Sequence, residues 1–287
     1  MAGVRKLVKR IKSAKNIAQI TKAMQMVAAS RMRRAQDAAR AGKPYQEKIM
    51  EAVTALSTTI EQGSHELLRP GNDSGKILLV LIATNKGLCG GLNTTLFRQV
   101  IRWFPNQPQI DFITLGKKAQ QFAVRSKASL LADFSSDDFL GKAQAVTELF
   151  VQNFLKGTYK EVYIVFNEFI SSLNQEPVMR RILPVELIRS PGHTQTEVQI
   201  ESGDMLIEPS PDRVLNALLP HYIEVQLRTA ILEALASEHS ARMIAMKNAT
   251  DNARGLIDDL TLAYNRARQE KITYEIADIV TARISME

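Results

Sequence analysis

The sequence predicts an α/β protein with long helices: an antiparallel coiled coil of the N- and C-terminal helices, with a Rossmann-like α/β domain inserted between them. Three observations carry the prediction. Each end of the chain holds one apolar stripe on a helical period. Helices of that length do not fit inside a domain of 287 residues, so the two stripes must bury one another. Between them, strand-like apolar runs alternate with amphipathic segments, the pattern of βαβ units on a mostly parallel sheet.

The first helix is expected over residues 1–60. Leu7, Ile11, Ala14, Ile17, Ile20, Met24, Val27, Ala28, Met32 and Ala35 recur at spacings of three and four. Alanine, methionine, lysine, arginine and glutamine, all good helix formers, fill the rest. Unbroken, such a helix would be roughly 85 Å long. Gly42 and Pro44 predict a bend or break. The last helix is expected over 210–287, with Ser210 as N-cap, Pro211 in the first helical position and Asp212 in the first turn. Its stripe is read as Leu218, Val225, Ile231, Leu235, Arg242, Ala245, Ala249, Leu256, Leu260, Ala263, Ala267, Ile276 and Ile279, disturbed only by Pro220 and Gly255. The seam is rich in small residues, which let the axes approach but bury less apolar area per layer.

The inserted domain is expected over 75–207. "KILLVLIAT", "QIDFITLG", "KEVYIVFNEF" and "MRRILPVEL" read as strands, with a short strand near Leu130. "LNTTLFRQVIRWF", "KKAQQFAVRS" and "KAQAVTELFVQNFLKG" read as helices. "SSDD" (Ser135 to Asp138) reads as a helix N-terminus, where acids are favoured by the dipole. "SPGHTQTEVQIESGD" reads as a polar loop returning the chain to the last helix.

The formal net charge is +7, which suggests an acidic partner surface, a nucleic acid or an anionic membrane without choosing among them. Arg5, Lys6, Lys9, Arg10, Lys12, Lys15 and Lys22 concentrate the bias, and Arg31, Arg33 and Arg34 continue it. Few aromatics lie nearby to stack on bases, so a solvated or partner-facing helix surface is favoured over nucleic-acid binding. No apolar run reaches the ~20 residues that a membrane helix needs. The basic N-terminus lacks the apolar core of a secretory signal. The one cysteine, Cys89, precludes an intrachain disulfide and fits a reducing cytosol.

"TNKGLCGGLN" (Thr84 to Asn93) follows a strand and precedes a helix, the place of a phosphate loop. A Walker loop needs its lysine and hydroxyl after the last glycine; here Leu92 and Asn93 follow Gly91, and Lys86 comes first. The dinucleotide pattern needs G-x-G-x-x-G, and glycines at 87, 90 and 91 do not supply it. A tight turn in which glycines provide positive φ is the favoured reading over a nucleotide site. For Cys89, no histidine spacing nominates a catalytic base, which leaves a small buried hydrophobe. His65, His193, His221 and His239 are dispersed, so no metal set is expected.

Longer motifs narrow the reading further. "ITKAMQMVAASRMRRAQ" (Ile20 to Gln36), "GLCGGLN" (Gly87 to Asn93), "EPSPDRVLNALLPHYIE" (Glu208 to Glu224), "EALASEHSARMIAMKNATDNA" (Glu233 to Ala253) and "YNRARQEKITYEIADIV" (Tyr264 to Val280) resemble, in order and from end to end, the gamma subunit of F-type ATP synthases of the bacterial kind. The resemblance implies a non-catalytic rotor shaft with no nucleotide or other cofactor of its own. Its paired helices would stand in a ring of three alpha and three beta subunits, and its α/β domain beside the epsilon subunit on the membrane c-ring. It implies no nucleic-acid partner, and attachment to the cytoplasmic side of the cell inner membrane only through the complex. It implies ring contacts at Met24, Lys86, Cys89, Arg242, Arg266, Arg268, Gln269, Thr273 and Glu275. It places the foot on the c-ring and epsilon at Met205, Leu206, Ile207 and Glu208. Two departures stand out. Asn85-Lys86 replaces an acid followed by arginine, keeping the charge but losing the bidentate fork. "TARISME" ends in an acid where the resemblance implies an apolar bearing.

Overall fold

The structure, a computed structural model, describes residues 2–59, 65–105, 110–136, 138–185 and 207–284. Ten elements run in the order α1 (Ala2–Thr59), β1 (Lys76–Ile82), α2 (Leu92–Trp103), β2 (Ile110–Leu115), α3 (Lys117–Arg125), β3 (Ser129–Asp133), α4 (Phe139–Leu155), β4 (Tyr159–Phe169), β5 (Gln175–Leu183) and α5 (Pro211–Ile284). The chain divides into two compact units, Met1–Ser30 with Arg242–Glu287, and Arg31–Ala241.

The larger unit is built on a five-stranded sheet of order β3-β2-β1-β4-β5. The first four strands are parallel and β5 is antiparallel to β4. β1 and β2 are buried along nearly their whole length, which is why they read as continuous apolar runs rather than alternating ones. α2 and α3 cover one face through Leu96, Val100, Ala119, Phe122 and Ala123. The other face packs on Phe150 and Phe154 of α4, Val53 and Leu56 of α1, and Leu219, Ile223, Leu227 and Ile231 of α5. Asp138 caps α4, accepting a hydrogen bond from Gly141 N at 2.9 Å.

α1 does not break at Gly42 and Pro44, contrary to the sequence expectation. Pro44 removes one backbone donor, but it lies on an exposed face where water can serve the orphaned carbonyl. The next two residues are tied to α5: Tyr45 Oη hydrogen-bonds His221 Nε2, and Thr229 Oγ1 donates to Gln46 Oε1 at 3.1 Å. α5 likewise runs through Pro220.

The smaller unit joins the first half of α1 to the last half of α5, so the helices run antiparallel. Its seam differs from the predicted stripe. Val4, Leu7, Ile11, Ala14, Ala18, Thr21, Gln25 and Ala28 are buried or half-buried positions of α1 in strict alternation of three and four, with Lys22, Met24 and Ala29 half-buried beside them. On α5 the same alternation runs through Met243, Met246, Thr250, Ala253, Ile257, Leu260, Tyr264, Ala267 and Lys271, with Arg242, Ile244, Ala245 and Ala249 half-buried beside it. This is the 3.5-residue repeat of a supercoil; a straight 3.6-residue stripe drifts from it by about 20° per heptad. Ile17, Ile20 and Val27, assigned to the seam from their hydrophobicity, therefore face outward, as does Leu256; Ile276 and Ile279 are exposed in a stretch, 272–281, where no residue is buried. One layer is polar: Thr21 Oγ1 and Thr250 Oγ1 lie 2.7 Å apart, and Thr250 also reaches the carbonyl of Met246 at 2.8 Å. A polar layer of this kind helps to fix register.

Candidate functional site

The turn from β1 to α2 occupies the C-terminal edge of the parallel sheet, at the point where strand order reverses. Ligands of open α/β folds bind there. In this chain the edge is filled by its own side chains. Thr84 is buried, and its hydroxyl accepts from Asn93 Nδ2 at 2.8 Å. Asn93 Nδ2 also lies 3.5 Å from Cys89 Sγ. Asn85 donates to the carbonyl of Ser136 at 2.7 Å and accepts from the backbone N–H of Lys117 at 3.0 Å. The N–H of Lys118 goes to the carbonyl of Thr84 at 3.0 Å. Two early donors of α3, the helix that follows the neighbouring strand β2, are thus bonded to the β1–α2 turn. Asp133, the nearby carboxylate, accepts from Thr114 at 2.7 Å and Ser135 at 2.6 Å. Gly116 has φ +103°, and a Cβ there would stand 2.1 Å from the carbonyl oxygen of Ala83, so only glycine permits this approach of the two turns.

Within the turn, Gly90 has a positive φ of 60°, as expected of a glycine, but Leu88 adopts φ 63° as well. Gly91 is the N-cap of α2 at an ordinary φ of −84°. Lys86, Gly87 and Leu88 form the exposed tip, and Leu88 is 61% exposed. Cys89, expected among the partner contacts, is instead buried beneath the turn at 3% exposure. It sits there as a small side chain with its sulfur 3.5 Å from Asn93 Nδ2. Leu88 escaped the sequence reading; an apolar residue between glycines in a polar loop was the available signal.

The shaft residues separate by face. Met24 is half-buried at the border of the seam, and Arg242 is half-buried on α5. Arg266, Arg268, Gln269, Thr273 and Glu275 are all exposed. Arg266, Gln269 and Thr273 follow helical spacing along one face, while Arg268 and Glu275 lie roughly 200° around the helix. Glu275 is paired with Lys271 Nζ at 3.0 Å, and Thr273 Oγ1 donates to the carbonyl of Gln269 at 3.1 Å. Ile17, Ile20 and Val27 add an outward apolar strip to α1 that sequence reasoning had placed in the seam. The basic residues Arg5, Lys6, Lys9, Arg10, Lys12 and Lys15 are all exposed.

Of the expected foot, Met205 and Leu206 lie outside the described residues. Ile207 packs half-buried against the main core, and Glu208 is exposed. Immediately beyond is a cleft of about 390 Å³ lined by Pro209, Arg213, Val214, Ala217, Leu218 and His221. The ring of His221 meets that of Tyr45 edge-on at 5.7 Å. Among the described residues there is no group of three or more metal-ligating side chains. No helix among them is long and apolar enough to cross a membrane.

Against known proteins, residues 3–285 match the family model described as ATP synthase. An ATP synthase gamma chain of Methylacidiphilum infernorum is 41% identical over 295 residues, covering 100% of both chains. One of Roseiflexus castenholzii is 38% identical over 300 residues, covering 100% of this chain and 99% of its own. Among solved structures, a chain of the Euglena gracilis mitochondrial ATP synthase OSCP/F1/c-ring assembly has a TM-score of 0.66 at 20% identity, covering 99% of this chain and 95% of its own. A chain of the same organism's rotor has a TM-score of 0.63 at 18% identity, covering 94% and 99%. At those identities the structural likeness speaks for the fold.

Proposed function

This chain belongs to the ATP synthase gamma-chain family, and from that premise we propose that it is the central rotor shaft of an F-type ATP synthase. A gamma chain is a non-catalytic subunit; the work assigned here is mechanical. One observation carries the reading. On α1 the small and polar residues Ala18, Thr21 and Gln25 are turned into the seam, while the larger Ile17, Ile20 and Val27 are left outside. A helix that served only its own fold would bury the isoleucines, each worth ~1.5–3 kcal/mol on full burial. Leaving them out makes sense for a surface completed by a partner.

In this reading, residues 1–60 and 210–287 act as the shaft and 75–207 as the body seated on the c-ring beside the epsilon subunit. Met24, Arg242, Arg266, Arg268, Gln269, Thr273 and Glu275 face the alpha and beta subunits, three of each, with Lys86 and Leu88 at the lower turn. Ile207 and Glu208 belong to the foot. The shaft has different residues on each side, so each beta subunit meets a different face at any moment. Each face favours a different open or closed state, which is a coupling free energy between rotor angle and nucleotide affinity. Ion flow turns the c-ring and shaft together and shifts the beta sites in sequence. Hydrolysis runs the cycle in reverse, and the same contacts regulate ATPase activity and ion flow. The chain is held at the cytoplasmic side of the cell inner membrane through the complex.

The test is reconstitution with alpha and beta subunits of the same organism, measuring the mass of the assembly and Mg-ATP hydrolysis with and without this chain. A complex holding one copy per three of each ring subunit, with activity that depends on this chain, is expected. No assembly and no effect would sink the proposal.

A further inference from the structure

The β4–β5 hairpin carries a charged cluster facing α5. Arg180 of β5 lies across the ring of Phe166, its guanidinium carbon 5.2 Å from the ring centre. Its Nη2 stands 3.4 Å from Glu168 Oε1 on β4 and 3.7 Å from Glu233 Oε2 on α5. Burial pushes the Glu233 carboxyl above the usual carboxylate range; the charge of Arg180 opposes that shift and Glu168 adds to it. Glu233 Oε2 makes no hydrogen bond, so what joins it to the sheet is the charge of Arg180. About two turns further along α5, Ser240 Oγ donates to the carbonyl of Ser172 at the hairpin tip, at 2.8 Å. α5 also packs on this face of the sheet through the apolar Leu219, Ile223, Leu227 and Ile231.

The two kinds of contact resist different motions. Apolar burial opposes separation but is non-directional, so it offers little against a small roll of the helix in its groove. The Ser240–Ser172 hydrogen bond is directional, and stacking on Phe166 holds the Arg180 charge at one place beside Glu233, so a roll of α5 would break the first and lengthen the second. We propose that Arg180, with Glu233 and the Ser240–Ser172 bond, is a rotational clamp that locks α5 to the sheet, so that torque passes between the α/β body and the helix without slip. The inference rests on the rotor role proposed above. Arg180 is a positioning residue in it: it acts through the helix that it holds.

The experiment uses the full chain in the assembled complex with its c-ring, in vesicles and in single-molecule rotation. The Arg180→Ala complex is expected to form and to hydrolyse Mg-ATP like its parent. Its angular fluctuations at a stalled position should rise about twofold, with a matching fall in ions pumped per ATP. Arg180→Lys keeps the charge but loses the planar fork, and should restore part of the stiffness. Should Arg180→Ala fail to assemble, the pair Glu233→Gln with Ser240→Ala carries the same expectation. Parent-like stiffness and pumping in an assembled variant overturn the clamp. A parent chain that forms no complex overturns the rotor reading itself, so the two failures are distinguishable.

Discussion

Ala28 and Ile20 lie on the same helix and have opposite fates: the alanine is 2% exposed and the isoleucine 60%. Burial here follows the geometry of the seam rather than the hydrophobicity of the side chain, and that sets what each position tolerates. A glutamate at Ala28 would force a charge into a layer that is closed around an alanine. Ala28→Glu should cost the paired helices at least about 2 kcal/mol and lower the coupling of ATPase to rotation. Thermal melting followed by helicity checks the first effect and ATP-driven ion pumping the second; a variant with unchanged helicity and coupling would show the register to be wrong. Glu233 makes a prediction of a different kind. Its carboxyl is raised from 4.5, chiefly by burial, so the folded chain holds that proton more tightly than the unfolded one. The sign follows: its contribution to stability is fully present below the ordinary carboxylate range and is lost as pH rises through the raised value. Glu233→Gln should flatten that decline, which melting temperatures taken at successive pH values from 4 upward would reveal.

At the scale of elements, the sequence was legible where one residue type decides and illegible where geometry chooses among several. Every helix and strand of the inserted domain could be read, because buried runs such as Leu78 to Ile82 and caps such as Asp138 carry their signal locally. The turn at "TNKGLCGGLN" was also readable, with Gly90 at positive φ as its glycines suggested. What could not be read was which of two adjacent stripes on α1 is the seam. Ile17 and Ile20 outscore Ala18 and Thr21 in hydrophobicity, but only the latter hold the 3.5-residue repeat against Thr250 and its neighbours. The continuity of α1 through Pro44 was hidden for a related reason, because the ties at Tyr45 and Gln46 come from residues more than 170 positions away. The outward stripe leads to a test. Ile17→Ser with Ile20→Ser should change the melting of the free chain by no more than about 0.5 kcal/mol per site, as for exposed positions generally. The same pair should weaken assembly with the alpha and beta subunits, measured by the concentration of chain needed to restore ATPase activity. A large loss of stability in the free chain would mean that these residues belong to the seam after all.

For the whole molecule, the α/β sheet has the topology of a nucleotide-binding fold with its ligand edge closed. The strand order reverses beside β1, and there the two neighbouring turns are tied to each other: the N–H of Lys117 by Asn85, the N–H of Lys118 by Thr84, and the Thr84 hydroxyl by Asn93. Opening that edge would leave Thr84, itself 2% exposed, with an unpaired polar group, at a cost of about 1–3 kcal/mol before any ligand bond formed. A sheet sealed in this way supports and positions, which suits a body that carries load and leaves nucleotide chemistry to other subunits. The prediction is that the full chain alone, titrated calorimetrically with Mg-ATP, gives no saturable heat, while its complex with alpha and beta subunits does. Asn85→Ala sharpens the test. It frees the Lys117 N–H at the start of α3 and should destabilise the chain by about 1 kcal/mol, as loss of a helix cap does. Even so, it should not create nucleotide binding, because Thr84, Asn93 and the close approach at Gly116 still fill the space. Tight, stoichiometric binding by the unmodified chain would overturn the view of the sheet as a closed structural body and return the search for chemistry to its own edge.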